Sequence, residues 1–223
     1  VAEYAGDAAG AAAEVSRIRG RIASRLEHDI TCELSELSMP KAAFQVQIRK
    51  TRGDAEQELI VDGQPCILGP NGVDDVEFLF SANPGEEPRP LSRIASGGEM
   101  SRVMLAIKSV LAQVDDMPTM VFDEVDQGIG GEASMAVAAR LARIGRVRQV
   151  LAVTHLPQIA AAASSHFAVR KEERGGRTQV GIWHLDRDER VAEVARMLGG
   201  DSPSALTVAH AQEMLEKLDG GRI

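Results

Sequence analysis

The stretch that decides the fold is TMVFDE, residues Thr119 to Glu124, in which an apolar run ends in two adjacent carboxylates. A second apolar run, Val150 to Val153, follows it after an alanine-rich helical stretch around Met135 to Leu141. Two fully apolar strands separated by a helix are typical of a parallel sheet that is covered by helices on its faces. The sequence therefore predicts an α/β fold with a parallel sheet and flanking helices.

The two carboxylates predict a ligand site, because an open α/β sheet presents its ligands at the carboxyl ends of its strands. Asp123 could hold a hydrated magnesium ion, which commonly takes only one or two oxygen ligands from protein. Glu124 could orient or deprotonate a water molecule for attack on a γ-phosphate. By itself the dipeptide fits a solvated acidic turn better than a catalytic pair. The choice between the two therefore depends on the neighbouring motifs along the chain.

The first such neighbour is IASGGEMSR, residues Ile94 to Arg102, in which a serine and two glycines lead into a helix predicted from Ser101 to Val114. Glycines allow the backbone to approach a ligand closely, and the free N–H groups of a helix start favour an anion such as phosphate. The hydroxyl of Ser96 could add a hydrogen bond. Alone, this pattern is more often a simple loop and helix cap.

The second neighbour is His155, which ends the strand that starts at Gln149. A histidine at a strand end is usually a capped or packed residue, but beside a carboxylate pair and a phosphate loop it could bind a γ-phosphate. The three features together are far more specific than any of them alone.

The segment before Met39 carries an apolar stripe with steps of three and four residues, which predicts a long amphipathic helix that Pro40 ends. The stripe consists of Val15, Ile18, Ile22, Leu26, Ile30, Leu34 and Leu37. Such a helix either faces a core or forms the end of a coiled coil, and the pattern does not separate the two.

The remaining pattern predicts several short elements. Strands are predicted at Phe44 to Ile48, Val76 to Phe80, Phe167 to Arg170 and Gln179 to Leu185, with a turn at Thr51 to Gln57 and a loop at Asn83 to Pro88. Two helices close the chain. The last of them is expected to start with Ser202 as N-cap and Pro203 in the first helical position.

Composition limits the classes of function. The 33 acidic and 25 basic residues give a net charge of −8, so no overall basic field indicates nucleic acid or an anionic membrane. The two cysteines, Cys32 and Cys66, have neither disulfide-framework nor zinc-ligand spacing, which favours a reducing cytoplasm. The chain starts at Val1 and contains no long apolar run, so we expect an excised piece of a soluble cytoplasmic protein that has no membrane contact.

The motifs, in this order, resemble those of the ABC and SMC ATPases. Ser96-Gly97-Gly98-Glu99 is similar to the ABC signature motif, Met120 to Glu124 to a Walker B strand, and Thr154-His155 to the switch histidine. The bacterial RecN family is more similar still in the sequences of three segments, Ile94 to Arg102, Phe122 to Gly131 and Thr154 to Ala160. This resemblance runs from Asn83 to about Leu215.

The resemblance implies the C-terminal lobe of an ABC/SMC-type P-loop ATPase head over residues 39–223, preceded by the end of an antiparallel coiled-coil arm over residues 1–38. In the family pattern Asp123 binds Mg²⁺, Glu124 is the catalytic base and His155 senses the γ-phosphate. Ser96, Gly97, Gly98 and Glu99 form the signature motif, which contacts ATP that a second subunit holds.

The resemblance also implies partners and a cellular role. The partners are an N-terminal Walker A lobe of the same protein, a second copy through ATP-sandwiched heads, and the DNA ends of double-strand breaks. The role is recombinational repair, in a cytoplasmic, nucleoid-associated protein.

Two departures from the family pattern matter. Many ABC and SMC proteins place an aspartate six residues after the catalytic glutamate, where this chain has Gly130. No Gly-x-x-x-x-Gly-Lys-Ser/Thr occurs, and Gly69-Pro70-Asn71-Gly72 lacks the lysine and hydroxyl of a phosphate loop. The chain alone is therefore expected to be inactive as an ATPase.

An alternative function is a structural or DNA-binding lobe without a catalytic role of its own. It would use the basic run Arg140, Arg143, Arg146 and Arg148, or the arginines of the first helix. A serine hydrolase built from Ser96, His155 and Asp123 is disfavoured, since no Gly-x-Ser-x-Gly elbow is present.

Overall fold

The computed structural model describes residues 2–51, 58–94, 96–112, 114, 116–174 and 177–218. The chain divides into two units, one formed by Val1–Ser35 with Met39–Ala95 and the other by Glu36–Ser38 with Ser96–Ile223. The division into an arm at 1–38 and a lobe at 39–223 stays a prediction. Among the residues described, none of the helices combines the length and the apolar character that crossing a membrane requires.

The first unit combines one long helix with short antiparallel strands. Its elements are α1 (Ala2–Glu36), β1 (Ala43–Lys50), β2 (Glu58–Val61), β3 (Gln64–Ile67), β4 (Asp74–Ser81) and β5 (Arg89–Pro90). β4 lies between β1 and β5, and β2 pairs with β3. The predicted strands at Phe44 to Ile48 and Val76 to Phe80 are confirmed and lie opposite each other, with Phe44 facing Phe80. The β2–β3 hairpin was not predicted, and residues 52–57 of the predicted turn lie outside the described residues.

The apolar stripe of α1 has two parts. Ile30, Leu34 and Leu37, at and just beyond the end of the helix, are fully buried. Earlier in the helix, Val15 and Ile18 are each 38% exposed and Ile22 is 57% exposed. Such an exposed stripe is what a second helix of a coiled coil would cover, and the coiled-coil arm stays a prediction.

A buried carboxylate fastens α1 to the strands of the first unit. The Asp74 side chain is fully buried and accepts hydrogen bonds from Ser16 Oγ at 2.7 Å, Arg19 Nη1 at 3.1 Å and Lys50 Nζ at 3.2 Å. Burial alone raises the pKa of Asp74, but these hydrogen bonds and the Lys50 charge outweigh it and hold the pKa below its usual value. The charge is therefore paired where an unpaired one would be costly.

The second unit contains the predicted parallel sheet. Its elements are α2 (Gly97–Leu111), β6 (Thr119–Phe122), α3 (Glu132–Gly145), β7 (Gln149–Ala152), α4 (Pro157–Ala162), β8 (Phe167–Arg174), β9 (Arg177–His184), α5 (Arg187–Gly199) and α6 (Ala205–Leu218). β6 and β7 are parallel, with Thr119 opposite Gln149 and Phe122 opposite Ala152. The strand, helix, strand prediction is thus confirmed, with α3 as the connection.

The two faces of the β6–β7 sheet differ in exposure. Met120 and Phe122 are buried on one face. On the other, Val121 is 67% exposed and its cross-strand neighbour Leu151 is 48% exposed. Strands of parallel sheets are normally buried on both faces, so this apolar face is unusual for a finished domain.

The C-terminal part packs α5 and α6 around a small apolar cluster. Its buried members are Ala161, Val194, Ala195, Ala211, Leu215 and Leu218. The predicted N-cap of the last helix was wrong. α6 begins at Ala205, and Ser204 Oγ accepts a hydrogen bond from Thr207 N at 3.2 Å. The N-cap is therefore Ser204 and not the predicted Ser202.

Candidate functional site

The loop before α2 is the predicted phosphate-facing segment. Ser96 has an extended backbone and is the N-cap of α2, and its Oγ accepts a hydrogen bond from Glu99 N at 3.4 Å. α2 therefore starts at Gly97, four residues before the predicted start at Ser101. Ala95 lies outside the described residues. The arrangement presents the glycines at a helix N-terminus, where the helix dipole favours negative charge.

The turn after β6 carries the two adjacent carboxylates. Both are exposed, and Asp123 Oδ1 accepts a hydrogen bond from Glu124 N at 2.9 Å. Glu124 has a φ of +56°, in the left-handed region that residues other than glycine seldom adopt. Such a conformation costs about 1–3 kcal/mol and persists where the surrounding structure enforces it, often at functional sites.

The loop at Ser96 to Glu99, called the signature loop, and the turn at Asp123 to Gln127, called the carboxylate turn, are in direct contact, and this contact explains Gly98. A Cβ on Gly97 would lie 2.7 Å from Glu124 Oε2. A Cβ on Gly98 would lie 2.8 Å from the backbone oxygen of Gln127. Gly98 N also donates a hydrogen bond to Gln127 Oε1 at 3.0 Å. At Gly98 only a residue without a side chain allows this approach, because the atom that a Cβ would meet belongs to the backbone.

Two further side chains from the first turns of α2 reach the same turn. Ser101 Oγ donates to the backbone oxygen of Asp123 at 2.9 Å, and Arg102 Nη1 donates to that of Gln127 at 2.9 Å. Burial lowers the pKa of Arg102, and the nearby charge of Glu99 partly opposes this shift. α2 is thus fixed to the turn by side chains that sequence reasoning did not select.

Asp126 connects the carboxylate turn to His155. It is 3% exposed, and its Oδ2 accepts hydrogen bonds from Thr154 Oγ1 at 2.5 Å and His155 N at 2.9 Å. His155 Nδ1 lies 3.1 Å from the same oxygen. Sequence reasoning missed Asp126, although a third acidic residue two positions after Glu124 was a signal.

Among the contacts of the described residues, the His155 ring is held at Nδ1. Its side chain is 73% exposed, and the Asp126 contact occupies Nδ1. Since Asp126 engages Nδ1 of the ring, Nε2 is the nitrogen that can bind a ligand.

The described residues fit a magnesium ion only if phosphate oxygens supply other ligands. Within the described ranges, no group of three or more His, Cys, Asp or Glu side chains could hold a metal ion. Asp123 offers an exposed carboxylate, of which Oδ1 is engaged by Glu124 N. One carboxylate oxygen is a sufficient protein contribution when phosphate oxygens supply other ligands.

The two departures from the family pattern have clear structural settings. Gly69 and Gly72 hydrogen bond to each other, N to O, at 2.9 and 3.1 Å, so that this turn closes on itself. It therefore does not present these N–H groups to a phosphate. At Gly130 no atom of the described residues beyond its chain neighbours lies within 4 Å of the position of a Cβ, so the missing aspartate does not follow from lack of space.

The chain is similar to curated DNA repair proteins over nearly its whole length. It is 42% identical to the DNA repair protein RecN of Bacillus subtilis over 214 residues, which are 96% of the chain and 37% of that protein. It is 50% identical to RecN of Treponema pallidum over 184 residues, 82% of the chain and 30% of that protein. The chain thus spans about a third of the length of these relatives. No protein-family model matches it.

Solved structures support the fold. The Smc head domain with a coiled coil and joint from Pyrococcus yayanosii matches 82% of the chain with a TM-score of 0.53 and 16% identity, over 31% of that structure. The Smc head domain with an extended coiled coil from Pyrococcus furiosus matches 80% with a TM-score of 0.50 and 17% identity, over 39% of that structure. The predicted α/β head fold is confirmed. Together with the identities to RecN, this similarity shows that the chain corresponds to about a third of the length of RecN proteins and has the fold of an SMC-type head.

Proposed function

We propose that this chain supplies the signature motif, the Walker B carboxylates and the switch histidine to an ATP-hydrolysing head that acts in recombinational repair of DNA double-strand breaks. The observation that carries the proposal is the contact between the signature loop and the carboxylate turn. A Cβ on Gly97 would lie 2.7 Å from Glu124 Oε2, so the two motifs form one surface.

The residues divide the chemistry of hydrolysis among them. Asp123 holds the magnesium ion, which when bound neutralises charge that develops on the phosphates. Glu124, whose backbone is fixed in a strained conformation, orients the attacking water and accepts its proton. His155, oriented by Asp126, hydrogen bonds the γ-phosphate through Nε2.

The signature loop acts on a second nucleotide. Ser96, Gly97 and Gly98 lie at the start of α2, where a hydroxyl, backbone N–H groups and the helix dipole favour phosphate. In this proposal they bind the γ-phosphate of ATP that a second copy holds. Two heads would then enclose two nucleotides, and ATP would drive their association.

A further lobe is needed to complete the head. The chain contains no Gly-x-x-x-x-Gly-Lys-Ser/Thr, so it lacks the usual lysine and backbone cradle for phosphates. The exposed Val121, Leu151 and Val153, which is 61% exposed, mark the β6–β7 sheet as unfinished. We infer that an N-terminal Walker A lobe covers this apolar face with its own part of the sheet.

The proposal predicts that the chain alone binds Mg-ATP only weakly, with a millimolar or higher Kd, and does not hydrolyse it. Charge-assisted hydrogen bonds contribute about 1.5–3 kcal/mol each, so that losing several phosphate contacts weakens binding by orders of magnitude. Isothermal titration of the purified chain with Mg-ATP measures this affinity. Micromolar or tighter binding would show a complete phosphate site within these 223 residues and refute the half-site proposal.

A further inference from the structure

Gln127 contacts the signature loop with its side chain and with its backbone. It follows Glu124 in the turn, where Gln127 N donates to Glu124 O at 3.1 Å. Its Oε1 accepts from Gly98 N at 3.0 Å, and its backbone oxygen accepts from Arg102 Nη1 at 2.9 Å. A methyl group on Gly98 would lie 2.8 Å from that backbone oxygen. Gln127 is thus the main connection between the loop and the carboxylate turn.

The Gly98 N–H, which donates a hydrogen bond to Gln127, belongs to the first turn of α2. Donors in a first helical turn have no partner within the helix and need one from outside. Ser96 Oγ supplies such a partner for Glu99 N. The Gln127 amide supplies it for Gly98 N, so a neutral oxygen occupies a donor that is well placed for an anion.

We propose that Gln127 is a latch that holds the signature loop in the nucleotide-free head and yields the Gly98 N–H to the γ-phosphate of ATP on the opposing head. This inference rests on the proposed binding of phosphate by Ser96, Gly97 and Gly98. Phosphate displaces the amide because hydrogen bonds to charged acceptors are roughly twice as strong as neutral ones.

Release of the latch would also reach the catalytic base. Gln127 and Glu124 share one turn, and Glu124 Oε2 lies against Gly97 of the same loop. Movement of the Gln127 amide therefore changes the support of the turn that fixes Glu124. Gln127 would act as a positioning residue that reports the arrival of the second nucleotide, at a turn in which Gly130 carries no side chain to do so.

Two substitutions at Gln127 should change ATP-dependent association in opposite directions. Gln127→Leu removes the competing acceptor and should tighten association about two- to tenfold, the effect of one neutral hydrogen bond. Gln127→Glu keeps the acceptor and adds a negative charge beside the incoming phosphate, so it should weaken association by at least a similar factor. A purely structural role of the amide predicts weaker association for both variants.

The measurement is sedimentation velocity of the complete RecN-family protein with Mg-ATP, in a Glu124→Gln background that preserves the nucleotide. Gln149→Leu is the matched control, because it removes an amide that accepts from Thr119 Oγ1 at the opposite end of the strands. It should leave association unchanged. Melting temperatures check that both Gln127 variants fold. We expect them to fold because Gln127 is exposed.

The outcomes separate the latch from the proposed function. If Ser96→Arg abolishes association while both Gln127 variants match the parent, or shift it in the same direction, the latch is wrong and the signature role stands. If Ser96→Arg leaves association intact, the phosphate role of the loop fails and the latch fails with it. Opposite shifts at Gln127 together with loss of association in Ser96→Arg support both.

Discussion

Replacing Glu124 by glutamine in the complete protein is expected to reduce ATP hydrolysis by about 10²–10⁴-fold, the usual contribution of one general base. The amide keeps the shape of the side chain, so its packing against Gly97 remains, but it cannot accept the proton of the attacking water. ATP binding and ATP-driven association of heads should persist, because neither requires that proton transfer.

Steady-state phosphate release and sedimentation in Mg-ATP test this prediction together. Glu216→Gln serves as the control, since Glu216 is an exposed residue of α6 outside the site. This variant should hydrolyse ATP like the parent. A rate for Glu124→Gln within threefold of the parent would remove Glu124 from the role of base.

Replacing Ser96 by arginine is expected to abolish ATP-driven association of heads. Ser96 is exposed at the N-cap of α2. A long cationic side chain there would fill the space that the opposing γ-phosphate enters in the proposed dimer. Its hydroxyl, which caps Glu99 N, would be lost as well, at a cost of about 1 kcal/mol to the helix. Binding of ATP by a single head should survive, because the proposal assigns the signature loop to the nucleotide of the other copy.

Sedimentation with and without Mg-ATP distinguishes the monomer from the dimer, and titration of the monomer measures its own ATP affinity. Ser202→Arg places the same side chain at an exposed position between α5 and α6 and should associate like the parent. ATP-dependent dimers of Ser96→Arg at parental concentrations would contradict the role of the loop across the dimer.

Most of the second unit could be predicted from its apolar runs and their order along the chain. The two apolar runs at Thr119 and Val150 had no competing interpretation once a helix lay between them, and β6, α3 and β7 formed as expected. Local chemistry was less decisive at boundaries. Ser202 and Ser204 both precede α6, and only the observed hydrogen bond to Thr207 N identifies Ser204 as the cap.

The residues that connect the site could not be read in the same way. Asp126 and Gln127 act on Thr154, His155 and Gly98, which are distant in sequence, and such pairs become neighbours only after folding. The acidic Asp126 close to Glu124 was a weak signal and the Gln127 amide none, since an acid and an amide in a turn are usually solvated. The signature loop, the two carboxylates and His155 were predictable from the order of their motifs. The hydrogen bonds of Asp126 and Gln127 that join them required the structure.

The central claim is that this chain is one half of an ATPase head, and the most direct test is ATP turnover with and without the other half. The chain should be inactive alone and should hydrolyse ATP when combined with a Walker A lobe of a RecN-family protein. That turnover should disappear with Glu124→Gln in this chain. Turnover by the chain alone, or turnover of the mixture that Glu124→Gln leaves unchanged, would contradict the account and favour a structural lobe without a catalytic role.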